Sequence, residues 1–214
     1  MRNPVRMARL IVGVARLARD LKRLNLVFEI NDQIVALRTP EDEAAVVADF
    51  ASHPIGATAL RERHRLGRLD RAVLRALPED TLGGAYARFL ERHDISPDSL
   101  PALPVASEID YIVAHYYETH DLWHVLAGFE ADPAGELGIQ AFLLAQSRSY
   151  LPLFVIAAVL FNTALYGYDD RIRRLDAISR GWTLGRASER IAGIDWRPHL
   201  TRPLREVRRD VGLA

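Results

Sequence analysis

The stretch His120-Asp-Leu-Trp-His124-Val-Leu-Ala-Gly128-Phe-Glu-Ala-Asp132-Pro-Ala-Gly-Glu136 gathers two histidines, an aspartate and a distal glutamate around one glycine in a chain with seven histidines. At 100° per residue, with His120 at zero, His124 falls at about 40° and Asp121 at about 100°, so all three side chains leave one side of a helix. Tyr117 and Val113 share that arc, one and two turns earlier. Gly128 then reads as the glycine just past a helix end. Asp132 reads as the N-cap of the next helix and Pro133 as its first residue. The chain therefore reverses within a few residues, and Glu136, closing the first turn of the returning helix, can face the histidines. Gln140 lies one turn further on the same face, placed to orient a ligand by a hydrogen bond. Two neutral imidazoles and two carboxylates suit a divalent cation with positions left for water or substrate. Zinc, Fe(II), Mn(II) and Mg(II) are all compatible with these donors, and the donor set alone does not choose among them.

Working outward, helix signals dominate and alternating strand patterns are scarce. The long helix before the bend starts at Ser107. "TPEDEAAVVADF" opens with Thr39 as cap, Pro40 in the first turn and acids at the positive end of the helix. "PEDTLGGAYARFLERH" predicts a helix capped by Asp80 or Thr81. Further helices are expected near Pro133–Gln146, Leu151–Tyr166, Asp169–Ser179 and Pro203–Asp210. Three prolines make Ile95–Ser107 a connector. The expectation is one all-α domain over 1–214, with a basic amphipathic helical region at 1–39 and a core at 40–214.

Of the 214 residues, 49% are hydrophobic, enough for a sizeable core. The absence of cysteine excludes disulfides, thiol nucleophiles and thiolate metal sites. Formal neutrality argues against a nucleic-acid footprint, and no nucleic acid is expected as a partner. Charge is nevertheless uneven. Arg2, Arg6, Arg9, Arg16, Arg19, Lys22 and Arg23 face Asp20 alone in the first 23 residues. Met7, Leu10, Ile11, Val14, Leu17 and Leu21 form an apolar arc on the same segment. This pattern fits a core helix with a solvated basic face, a helix resting on anionic lipid, or an Arg-rich organelle-import segment. Between Arg148 and Asp169 runs "SYLPLFVIAAVLFNTALYGY", which has no formal charge. It reads as a helix buried on every face rather than a membrane span, and its walls, with Ile156, Val159 and Leu160 as candidates, can line a lipid-tail cavity. His115 and Glu118 project away from the histidine pair and are expected to meet solvent or a partner. His53, His64, His93 and His199 lack ligand spacing. No nicotinamide or flavin fingerprint occurs, so no tightly bound organic redox cofactor is expected.

The pattern H-D-x-x-H, eleven residues, then E, carried by His120, Asp121, His124 and Glu136, resembles the signature of the coenzyme Q biosynthesis protein 4 family. "PEDTLGGAYARFL" (Pro78–Leu90) and "WRPHLTRPLREVRRDVGL" (Trp196–Leu213) are similar to two further elements of that family. "HYYETHD" departs from it, lacking the two arginines that often precede the metal motif. The resemblance implies a helical, membrane-peripheral protein holding a divalent metal, usually zinc, beside a prenyl-lipid cavity. It implies ubiquinone biosynthesis, with the ring carboxyl of a polyprenylated hydroxybenzoate replaced by hydroxyl. Tyr117 is then the candidate proton donor, and O₂ the oxidant. The alternative is a non-catalytic prenyl-lipid scaffold organising the other quinone-biosynthesis proteins, its partners. An anionic membrane surface and a homodimer are the remaining expected associations. The resemblance places the protein in the cytoplasm against the inner membrane of a bacterium, or in an organelle after import.

Overall fold

The computed structural model describes residues 3–23, 25–96, 103 and 105–214. Among them eleven α-helices follow one another: α1 (Pro4–Arg19), α2 (Asn25–Leu37), α3 (Pro40–Ala51), α4 (Pro54–Glu62), α5 (Arg71–Arg75), α6 (Leu82–Arg92), α7 (Glu108–Ala127), α8 (Pro133–Gln146), α9 (Leu151–Tyr166), α10 (Arg171–Ala187) and α11 (Leu204–Asp210). No strand occurs among the described residues, so the all-α expectation holds. Most of the Ile95–Ser107 connector, with its three prolines, lies outside the described residues.

The helix starts follow local chemistry. Thr39 Oγ1 accepts from Asp42 N–H at 3.2 Å while Asp42 accepts from Thr39 N–H at 3.1 Å, a reciprocal capping box. Ser107 and Asp110 repeat it at α7. At α6 the cap is Thr81, whose hydroxyl accepts from Gly84 N–H at 3.1 Å and donates to Pro78 O at 2.6 Å. Because this hydroxyl is buried, Thr81→Ala should lower unfolding stability by about 1–2 kcal/mol; a urea midpoint within error of the parent would show the cap contributes nothing.

The chain divides into two compact units, Met1–Val46 with Asp132–Gly185, and Val47–Ala131 with Arg186–Ala214. In the first, Leu10, Leu17 and Ala18 of α1 pack on Leu26, Ile30 and Ile34 of α2 and on Ala158 of α9. Leu137 of α8 packs on Val155 and Val159 of α9. The expected apolar arc of α1 is therefore buried at Leu10 and Leu17, but Ile11 on the same arc is exposed. α10 continues past the expected end at Ser179, and Gly181 and Gly185 in the continuation admit α8: a Cβ at Gly181 would lie 1.9 Å from Gly138 O, and one at Gly185 2.7 Å from Phe142 O.

α9 departs from expectation. It was expected to bury every face, yet Leu153, Phe161, Leu165 and Tyr166 are exposed while Pro152, Val155, Ala158, Val159 and Thr163 are buried. Uniform hydrophobicity cannot reveal which side a helix turns to its neighbours, since any face would serve. No described helix is long and apolar enough to cross a membrane.

In the second unit α6 runs beside α7, and α11 packs on α6. Arg208 Nε and Nη2 donate to Leu126 O at 2.9 Å and Val125 O at 2.8 Å, satisfying carbonyls in the last turn of α7.

Candidate metal centre

α7 ends at Gly128, whose φ of 68° is the left-handed conformation that stops a helix at low cost with glycine. Phe129 N–H returns to His124 O at 3.0 Å. Glu130, in the turn, accepts from Arg92 Nη1 at 2.9 Å and meets His93 Nε2 at 2.6 Å. α8 then begins on Asp132, whose Oδ1 accepts from Gly135 N–H at 2.8 Å and whose Oδ2 accepts from Arg173 Nη1 at 2.6 Å. Burial pushes the Asp132 carboxyl up, but the Gly135 amide and the Arg173 guanidinium together outweigh it and hold it below its ordinary value. The cap is thus charged, as the positive end of α8 favours.

This hairpin brings His120, His124 and Glu136 together: one ligand atom from each lies within 4.8 Å of the others. His120 Nε2 and His124 Nε2 are 3.3 Å apart. Two nitrogens each bound at 2.0–2.1 Å to a tetrahedral ion would sit about 3.3 Å apart, so the imidazoles are already spaced as an ion requires. Two nitrogens and one carboxylate oxygen are a donor set that fits a divalent cation and leaves positions open. Asp121 is half-buried and is not one of this convergent group. Gln140 is buried, and its Oε1 has no hydrogen-bond partner among the described residues. Such an acceptor costs about 1–3 kcal/mol when left unsatisfied, which fits a group awaiting a ligand. Tyr117 is half-buried, one turn before the pair.

Reasoning on the motif alone missed the residues on α6. Phe89 stacks on His124, ring centroids 5.5 Å apart and 27° between planes, and fixes the imidazole from behind. Burial, and next the Asp121 charge, raise the Tyr86 phenol far above its ordinary range. His93 in turn lies 4.7 Å from Phe89. The three-residue spacing of Tyr86 and Phe89 was the signal: it matches that of Asp121 and His124 on the neighbouring helix.

His115 and Glu118 are expected to meet solvent or a partner, but His115 is buried and Glu118 half-buried. His115 is 1% exposed. Its Nε2 accepts from Gly193 N–H at 2.9 Å, while His64 Nε2 meets Gly193 O at 2.7 Å. The two histidines thus hold the N–H and the C=O of one residue, in two successive peptide groups. Glu118 accepts from Arg65 Nε at 2.9 Å and Gly67 N–H at 3.0 Å. The side of α7 opposite the histidine pair is thus a second buried face, which helical projection alone could not distinguish from a solvated one. Burial, followed by the charges of His64 and Arg65, lowers the His115 pKa to about 3. An unfolded histidine takes its proton near pH 6.5, so this contribution to stability is complete above pH 6.5 and is lost as pH falls toward 3, at about 1.4 kcal/mol per pH unit. The urea midpoint of His115→Gln, which keeps an acceptor for Gly193, should fall less steeply than that of the parent below pH 6.5; parallel curves would remove His115 from the account.

The comparisons follow this geometry. Residues 40–214 match the family model described as "Coenzyme Q (ubiquinone) biosynthesis protein Coq4". The zebrafish (Danio rerio) mitochondrial ubiquinone biosynthesis protein COQ4 homolog is 32% identical over 153 residues, covering 63% of this chain and 56% of that protein. The mitochondrial ubiquinone biosynthesis protein coq4 of Botryotinia fuckeliana is 30% identical over 168 residues, covering 76% and 58%. The chain thus spans a little over half the length of these relatives. In fold, a crystal structure from Nostoc punctiforme superposes with a TM-score of 0.83 at 24% identity, covering 96% of this chain and 97% of that one. With the family model spanning the His120–Glu136 hairpin together with α6 and α11, the chain belongs to the coenzyme Q (ubiquinone) biosynthesis protein Coq4 family.

Proposed function

We propose that this protein acts in ubiquinone biosynthesis on a polyprenylated hydroxybenzoate at the membrane, exchanging the ring carboxyl for a hydroxyl. The observation that carries the reading is the convergence of His120, His124 and Glu136 in a chain of this family. A divalent ion, zinc in this reading, would supply a Lewis acid that binds the substrate carboxylate or phenolate and offsets the negative charge developing as CO₂ departs. In balance, the carboxyl leaves as CO₂, one atom of O₂ becomes the ring hydroxyl and the other leaves as water, with two protons and two electrons drawn from a reduced co-substrate.

The residues have separate tasks. His120, His124 and Glu136 would hold the ion, with Asp121, one residue after His120, as a fourth donor. Phe89 keeps His124 in place from behind. Gln140 offers its buried amide oxygen to a group at the centre. Tyr117 delivers the proton that the ring or the departing carboxyl requires. Because Val155 and Val159 pack on Leu137, the residue after Glu136, α9 lies against the first turn of α8. Ile156 and Leu160 fall at the border of the buried and exposed faces of α9, and with Val159 behind them they line the path of the isoprenoid tail. Each buried CH₂ contributes about 0.8 kcal/mol, so the tail sets affinity and the metal sets orientation.

The test is turnover. Protein loaded with zinc and given polyprenyl hydroxybenzoate, O₂ and a reductant in lipid should release CO₂ in proportion to hydroxylated product. Binding of the lipid with no CO₂ released above a Glu136→Ala control would favour the scaffold reading over catalysis. Tyr117→Phe should keep metal content and lose turnover by about 10²–10⁴-fold; an unchanged rate removes it from the reaction.

A further inference from the structure

The corner between α9 and α10 is built to present apolar side chains. Arg174, buried at 7% exposure, ties it together: its Nη1 donates to Asn162 Oδ1 at 3.1 Å and Thr163 Oγ1 at 2.9 Å, and its Nε donates to Asp170 Oδ2 at 3.0 Å. Gly167 allows this, since a Cβ there would lie 2.8 Å from the guanidinium. A buried arginine and three polar partners thus organise a turn whose large side chains point outward. Phe161, Leu165, Tyr166, Tyr168, Ile172 and Leu175 are each between 53 and 66% exposed. Six such side chains between Phe161 and Leu175 are more than the single scattered exposures usual on a protein surface.

What covers the corner is indicated by charge and composition. The same Asn162 donates from Nδ2 to Ala18 O at 2.9 Å, so the C-terminal end of α1 sits against the corner. That end carries the exposed cations Arg19, Lys22 and Arg23 with Asp20 as the one acid among them. The corner itself is near neutrality: Asp170 is paired with Arg173 and Arg174, and Asp169 and Asp176 offset Arg171 and Arg180. Arg171 lies over the Tyr168 ring at 4.5 Å, covering an aromatic face with a cation. An apolar tip containing Phe and Tyr with a cationic flank matches the interfacial zone of an anionic bilayer, where aromatic rings sit at headgroup depth and basic residues meet lipid phosphate and carboxylate.

We propose that the α9–α10 corner is the membrane-docking surface, inserting Phe161, Leu165 and Ile172 into the headgroup layer while Arg19, Lys22 and Arg23 meet anionic lipid. This deepens the reading above and rests on it in one respect: a prenylated substrate reaches α9 from a bilayer, and α9 forms one wall of the corner.

The full chain should co-sediment with phosphatidylcholine vesicles containing phosphatidylserine, and less with phosphatidylcholine alone. Leu165→Glu with Ile172→Glu, at two exposed positions, should weaken that binding at least about tenfold without changing the thermal midpoint. Arg19→Glu with Lys22→Glu and Arg23→Glu should remove the preference for phosphatidylserine. Vesicle binding by the double variant equal to that of the parent overturns the proposal. So does a parent that is a dimer in solution and becomes monomeric in the double variant with vesicle binding intact, which would assign the surface to a second copy of the chain. Metal analysis separates this from the catalytic reading: Glu136→Ala should lose metal and still bind vesicles, whereas Leu165→Glu with Ile172→Glu should keep its metal.

Discussion

Glu136→Ala should purify without its divalent ion, and His124→Asn should do the same. Each removes one of the three donors that converge within 4.8 Å. Loss of a group that merely hydrogen-bonds to a ligand costs about 10–100-fold in metal affinity, so loss of a ligand itself should cost more than about a hundredfold. Turnover should fall to background with occupancy. The two variants also differ in a useful way. Glu136 is half-buried near the start of α8, and its removal should change the fold little; His124 is fully buried under Phe89, so its variant loses stacking and stability as well. Elemental analysis paired with a thermal midpoint separates the effects. Full metal occupancy in Glu136→Ala would mean that α8 contributes no ligand. In the parent, addition of zinc should raise the thermal midpoint, because an ion that binds only the folded chain stabilises it by mass action.

Gly181→Ala should be the most destabilising single methyl in the chain's first unit. The added Cβ would lie 1.9 Å from Gly138 O and 2.8 Å from its carbonyl carbon, and backbone atoms cannot rotate away as a flexible side chain can. α8 and α10 must separate, which opens the packing at Gly185 and Phe142 on the same seam. Overpacking of this kind costs about 3 kcal/mol or more, at or beyond the upper end of small-to-large substitutions. The consequence reaches the metal, since α8 carries Glu136. A lower urea midpoint together with weakened zinc affinity is expected. An unchanged midpoint would show that α8 and α10 do not approach so closely. Gly138→Ala, on the other side of the seam, is the companion test.

These expectations show which features local chemistry makes legible. Thr39, Ser107, Asp132 and Gly128 act within four residues of themselves, through side-chain oxygens that satisfy first-turn amides or a backbone that needs positive φ. Their helix boundaries could therefore be read directly. The metal hairpin is legible for the same reason: His120, His124 and Glu136 are brought together by helical periodicity and one short turn, with no distant element required. Asp121 marks the limit of that reasoning. Periodicity places it on the same side of α7, yet it is not among the three residues whose ligand atoms converge.

Non-local contacts decided the rest. Whether α7's opposite side meets water depended on Arg65 and Gly193, far away in the chain, so His115 and Glu118 were misplaced by projection. α10 runs past its expected end at Ser179 with Gly181 set closely against α8, an approach no local signal reveals. α9 is hydrophobic all round and so carries no directional signal; α1, α2 and α8 chose its inner face, and Arg174 fixed the corner at which the remainder is exposed. The sequence by itself determined most of the helices, their caps and the convergence of His120, His124 and Glu136 at one hairpin, because those depend on interactions spanning a turn or two. Tertiary structure alone decided which apolar and charged faces are covered, because burial is a property of the neighbour that arrives and not of the residue that awaits it.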